Sequence, residues 1–158
     1  MTKRSERQDG FSLIEIMVVL LVIGILIAIA IPVFLGARGR SQDKASLSDL
    51  RSAAAAAKVY FSDAETYTNF DAGCSGGTCT AAEKIEPALE WLDDAPDANQ
   101  VGIIRAVGTT LLLVSRSATG TYFCYVDRTN PSDTKFGKGT TDYASVSTAA
   151  KCAARPAP

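Results

Sequence analysis

Residues 11–35 read FSLIEIMVVLLVIGILIAIAIPVFL, and the apolar run inside them is unbroken from Ile16 to Ile31. As a helix rising ~1.5 Å per residue, this segment reaches about 37 Å, enough to cross the hydrocarbon core of a bilayer. The segment before it, MTKRSERQDG, is short and polar, with Lys3, Arg4 and Arg7 set against Glu6 and Asp9. By the positive-inside rule residues 1–10 form a cytoplasmic flank, and the chain beyond the apolar run is extracytoplasmic. A cleaved secretory signal is the competing reading, because Ala28-Ile29-Ala30 imitates a small-x-small cleavage site. That reading leaves Glu15 near the start of the apolar run without a purpose, and it sets Pro32 awkwardly just beyond the cut. The acid is the feature that needs a cause.

Beyond Phe34 the pattern changes from apolar all round to one-faced. Leu47, Leu50, Ala54, Ala57 and Phe61 recur at helical spacing, while Asp49, Arg51, Ser52 and Lys58 fall elsewhere. The spacing predicts one helix from about Phe11 to about Ser62, in lipid first and then along a globular domain. Gly24, Pro32, Gly36 and Gly39 are its weak points: proline lacks the backbone donor, and each glycine costs up to about 1 kcal/mol relative to alanine. They lead either to a kink near Pro32 or to a segment that loosens during assembly.

The rest of the chain has the composition of a soluble domain. The formal charge of −1 gives no basic excess for a phosphate backbone, so nucleic acid is not an expected partner. With no histidine, the chain contains no Ser-His-Asp triad and no His-ligated metal site. No nucleophile-base pair, metal cluster or phosphate loop stands out either, so neither an enzyme nor a cofactor is expected. Cys74, Cys79, Cys124 and Cys152 form an even set without a CxxC pair, which favours disulfides over zinc and an oxidising compartment over the cytosol. Of the three possible connectivities, Cys74–Cys79 closes locally through Ser-Gly-Gly-Thr, and Cys124–Cys152 ties a strand to a tail with little apolar content of its own.

Between Asp63 and Gln100 the composition is that of a loop. Thr80 and Glu83 match a capping box opening a short helix through Ile85, Leu89, Trp91 and Leu92, which Pro87 breaks or restarts. Asp93, Asp94, Asp97 and Asn99 crowd together; a solvated acidic loop is the plain reading and a calcium site the sharper one. Val101–Val107, Leu111–Ser117 and Tyr122–Val126 read as strands. The short turns Gly108-Thr109 and Ala118-Thr119-Gly120 between them imply an antiparallel meander. The fold class expected is α+β, a long N-terminal helix packed on a small antiparallel sheet.

The run Gly10-Phe11-Ser12-Leu13-Ile14-Glu15-Ile16-Met17, continued through Gly24 to Pro32, closely resembles the N-terminal segment of type IV prepilins and pseudopilins. Ser12 and Ile16 stand where that family often has Thr and Leu. The resemblance covers residues 1 to about 40. It implies a leader peptide over 1–10, a transmembrane and filament-core segment over 11–35, and a pilin-like extracytoplasmic domain over 36–158. It implies cleavage between Gly10 and Phe11 by a prepilin peptidase, methylation of the new Phe11 amine, and polymerisation of the mature chain with copies of itself on an assembly platform in the membrane. It also implies that Glu15 pairs with the Phe11 amine of a neighbouring subunit, the plainer alternative being its own Phe11 one turn away. Three outputs fit: a pilus subunit, a pseudopilin of a secretion or DNA-uptake system, or a minor pilin presenting Tyr122, Tyr125 or the acidic loop to a receptor.

Overall fold

The computed structural model describes residues 11–72, 79–129 and 132–158. The chain divides into two compact units at Arg38/Gly39. Helix α1, Leu13–Ala64, is a single element of 52 residues whose assignment runs uninterrupted through Pro32. Residues 13–38 of α1 make up the helical part of the first unit, and their side chains are exposed.

In the second unit the one-faced pattern does what its spacing implies. Leu50, Ala53, Ala54, Ala56 and Ala57 are buried, with Leu47, Tyr60 and Phe61 half-buried beside them. The small alanines let the helix lie close against the sheet. Ser46 is buried there too: its hydroxyl donates to the Ser115 hydroxyl at 3.1 Å, and Ser115 donates in turn to the Ser46 carbonyl at 3.1 Å. Both polar groups are thereby satisfied inside the core.

The sheet has five strands in sequential order: β1 (Trp91–Leu92), β2 (Val101–Val107), β3 (Thr110–Arg116), β4 (Tyr122–Thr129) and β5 (Ser132–Thr140). Strands β2 to β4 form the expected meander and β5, which sequence reading does not foresee, extends it; β1 pairs with β2 in parallel, so the sheet is mixed and not purely antiparallel. Helix α2, Thr80–Ile85, ends before Pro87, and Trp91 and Leu92 belong to β1 instead of to that helix. The capping box read at Thr80 does not form. Cys79 holds the cap position without a side-chain bond, and the Thr80 hydroxyl donates to the Ala72 carbonyl at 3.0 Å.

Alternation along the strands sends side chains to two cores. Ile103, Leu111, Leu113, Phe123 and Tyr125 meet α1, together with Tyr67, Phe70 and Trp91; the last two rings pack edge-on at 5.7 Å. On the opposite face Leu112, Val114, Cys124 and Val126 meet Val146 and Cys152 of the C-terminal segment, which contains a short 3-10 turn at Tyr143–Ser145 and helix α3, Ala149–Ala153. The disulfide Cys124–Cys152 joins strand to tail as expected, across 28 residues. On the chain-entropy estimate a loop of that size is worth roughly 3–4 kcal/mol. Gly137 makes room for it: a Cβ there would sit 2.6 Å from the Cys124 sulfur. Cys74 lies outside the described residues, and with it the Cys74–Cys79 pairing.

Tyr125 is buried and stacked on Phe136 at 4.7 Å between ring centres, so it is a core residue and is not available to a receptor. Its hydroxyl has no hydrogen-bond partner among the described residues. Burial first, and then the charge of Asp127, hold the Tyr125 hydroxyl well above the usual tyrosine range; burial, an Asp127 hydrogen bond and its charge do the same for Tyr67. A proton held more tightly in the folded state stabilises fully below the unfolded pKa and is lost from the balance as pH rises past it. Stability is therefore expected to fall above about pH 10, where unfolded tyrosine ionises. Tyr125→Phe should flatten that alkaline decline and, by removing an unpaired buried hydroxyl, leave neutral-pH stability unchanged or raised by up to about 1 kcal/mol. Urea unfolding at several pH values checks both.

Candidate functional site

The candidate site is the N-terminal segment from Phe11 through Leu35. Gly10 lies outside the described residues. Phe11 and Ser12 precede the helix, and the Ser12 carbonyl accepts from the backbone N–H of Glu15 at 3.0 Å and of Ile16 at 3.3 Å. Leu13, Ile14 and Glu15 are thus the first three helical residues, with Glu15 in the opening turn. A carboxylate there faces the positive end of the helix dipole, which supplies a local stabilisation of about 0.3–1 kcal/mol. The Ser12-x-x-Glu15 spacing is the signal for this arrangement and is legible in the sequence. Weighing the acid against the membrane alone, and not against its own helix end, misses it.

The remaining side chains of the segment form an exposed apolar surface. Phe11 is 79% exposed and Phe34 67%, and no residue in the most apolar 18-residue stretch of α1 is buried. A soluble monomer rarely exposes an apolar patch beyond a few hundred Å². This one extends over the whole of the first unit's helix and needs lipid, other helices, or both. Gly24 sits in the middle of it, and a Cβ added there would meet nothing within 4 Å. Its missing side chain is not required by packing within the chain, although it weakens the helix. At Gly39 a Cβ would come only to ordinary contact, 3.7 Å from Thr119.

The other candidates belong to the second unit. Asp97 pairs with Arg116 at 3.2 Å, and Asp94 accepts from the Ala95 N–H at 2.7 Å. Among the described residues no three His, Cys, Asp or Glu side chains are placed to hold a metal ion. Arg116 also lies over the ring of Tyr122, 5.4 Å from its centre, and Tyr122 packs on Tyr143. Sequence reading misses Asp127 altogether, since it ends the strand at Val126. Its buried carboxylate accepts from the hydroxyls of Tyr67 and Thr134 and lies 3.5 Å from Lys58 Nζ.

Residues 6–31 match the prokaryotic N-terminal methylation motif. The chain is 42% identical over 64 residues to the type IV major pilin protein PilA of Myxococcus xanthus, covering 40% of this chain and 29% of that one. It is 33% identical over 81 residues to the type II secretion system core protein G of Pectobacterium carotovorum, covering 51% of this chain and 52% of the other. The corresponding protein of Vibrio cholerae is 31% identical over 71 residues, 45% of this chain and 49% of the other. The chain thus spans less than a third of the pilin and about half of the secretion proteins. No solved structure matches it significantly. The chain thus carries a prepilin-type N-terminus and a pilin-like α+β plan, with a long apolar helix and a small sheet.

Proposed function

We propose, from that prepilin-type N-terminus, that this chain is a structural subunit of a type IV pilus, cut between Gly10 and Phe11 by a prepilin peptidase and polymerised through its N-terminal helix. The observation that carries the reading is the wholly exposed apolar face of residues 11–35, with one acid, Glu15, in its first turn. Before assembly lipid covers that face, with the N-terminus cytoplasmic and the domain outside; after assembly the same face is covered by identical helices. Gly24, Pro32, Gly36 and Gly39 serve this exchange by weakening the helix where it must adapt to close neighbours. Pairing of Cys74 with Cys79 belongs to the same proposal, as does a role in assembly and not in catalysis.

Processing provides the test. The N-terminal peptide of the surface-exposed protein should begin with N-methylated Phe11. Gly10→Leu should leave uncut precursor in the membrane, because a narrow peptidase site that accepts bare backbone has no room for the added side chain. Mature protein starting at Met1 or at Ile31 would contradict the reading.

A pseudopilin of a secretion system is the second reading, favoured by the wider coverage of the core protein G relatives, about half of each chain. Low abundance, short assemblies and loss of secretion on deletion would select it over an abundant pilus subunit.

A further inference from the structure

Strand β2 carries a bulge between Ile103 and Arg105. Without the extra residue Arg105 would stand opposite Leu111, whose side chain is in the core beneath α1; with it, Arg105 pairs with Leu112 and comes to the other face. Thr110 and Arg128 are partners in the β3–β4 ladder and share that face with Leu112. Arg105 and Arg128 therefore flank β3 from either side. They line a groove of about 350 Å³ together with Thr110, Leu112, Ser147 and Thr148.

No carboxylate lines this groove. Asp133 is directly across from Arg128 in the β4–β5 ladder, but its carboxylate lies 3.4 Å from Lys135 Nζ. Outside the backbone ladder, neither the Arg105 nor the Arg128 side chain makes a hydrogen bond or ion pair among the described residues. Two guanidinium groups held at one groove repel each other until an anion lies between them. Their planar forks offer paired N–H donors that match oxyanion geometry. The hydroxyls of Thr110 and Thr148 add further donors, whereas that of Ser147 is already donated to the Ala144 carbonyl at 3.1 Å, and the Leu112 side chain lowers the local dielectric, which strengthens the attraction.

We propose that Arg105 and Arg128 form a binding site for a compact oxyanion of phosphate or sulfate type on the sheet face opposite α1. A tetrahedral anion can engage two forks at one groove, whereas a carboxylate is already satisfied by one. The site stands independently of polymerisation.

The test is an NMR titration of the full chain, labelled with nitrogen-15 in zwitterionic micelles, with inorganic phosphate at constant ionic strength set by chloride. Amides of Arg105, Thr110, Arg128 and residues 147–149 should shift in a saturable way. Gln at both arginine positions, which keeps much of each side-chain stem, should weaken binding at least about tenfold, the worth of one charged hydrogen bond. Arg128→Lys, with charge but no fork, should be intermediate, and Asp133→Ala should tighten binding by removing the negative charge across the ladder from Arg128. Phosphatidylglycerol in the micelle moving the same amides assigns a lipid headgroup as the source; inorganic phosphate alone moving them assigns a free anion. Shifts that map elsewhere, no response to either probe, or a double Gln variant binding like the parent would overturn the site.

Discussion

Cells carrying Glu15→Val are expected to hold normal amounts of cleaved, membrane-inserted subunit and few or no filaments. An acid in a transmembrane helix is disfavoured by up to about 3 kcal/mol at the centre and less near an end, so it needs compensation. Among the described residues of α1 the first basic side chain is Arg38, so no cation accompanies Glu15 within residues 11–35. The proposed cut at Gly10–Phe11 would create one, the Phe11 amine, which the precursor does not have. Removing one partner of a buried ion pair between subunits costs about 2 kcal/mol or more. If Glu15 pairs with a neighbour as proposed, each subunit added to a filament meets that loss, and the concentration needed for growth rises about 30-fold at a tenfold change per ~1.4 kcal/mol. The position of Glu15 in the first helical turn offers a rival cause, its favourable interaction with the helix dipole. Glu15→Asp separates the two. It keeps the charge in that turn with a shorter arm, so filaments should be intermediate in number if Glu15 reaches a neighbour and normal if it serves only its own helix. Normal filament number and length in Glu15→Val cells would sink the proposed role.

Asp127→Ala should have the largest effect on the globular domain. Its carboxylate is the common acceptor for the Tyr67 and Thr134 hydroxyls, which tie the loop after α1 and strand β5 to strand β4. Truncation leaves the buried Tyr67 hydroxyl without that acceptor, at about 1–3 kcal/mol for a buried unsatisfied group, and costs the exposed Thr134 one hydrogen bond worth about 1 kcal/mol. We expect a total loss of roughly 2–4 kcal/mol, or ~10 °C in Tm for a domain of this size. Lys58→Ala is the control. Its side chain is 55% exposed, so its pairing with Asp127 contributes no more than about 1 kcal/mol. Thermal unfolding of the full chain in micelles, followed through buried Trp91, measures both. Asp127→Ala unfolding within about 0.5 kcal/mol of the parent would contradict the assignment.

The helix and the three central strands were legible because Leu47–Phe61 keeps a 3.6-residue period and Leu111–Val114 is a short continuous apolar run bounded by turn residues, the pattern of a strand buried on both faces. Strand β5 was not. SDTKFGKGT holds one large apolar residue, Phe136, and its two glycines are set by neighbours distant in sequence: the Cys124 sulfur faces Gly137, and the Phe123 ring faces Gly139. Strand β1 is two residues long and its parallel pairing depends wholly on tertiary contact. Asp127 comes directly after the apolar run of β4, where an acid reads as the end of a strand; only the fold brings Tyr67 and Thr134 to it. The N-terminal segment was the most legible part, because its chemistry lies in consecutive residues. For the same reason its partners cannot be read from a single chain.

The most direct test is electron microscopy of filaments sheared from cells, with mass spectrometry of their principal subunit. Our account expects filaments built mainly of this chain, starting at N-methylated Phe11 and lost in Glu15→Val cells. Recovery of the chain only as a soluble monomer beginning at Ile31, with no filament containing it, would contradict the account.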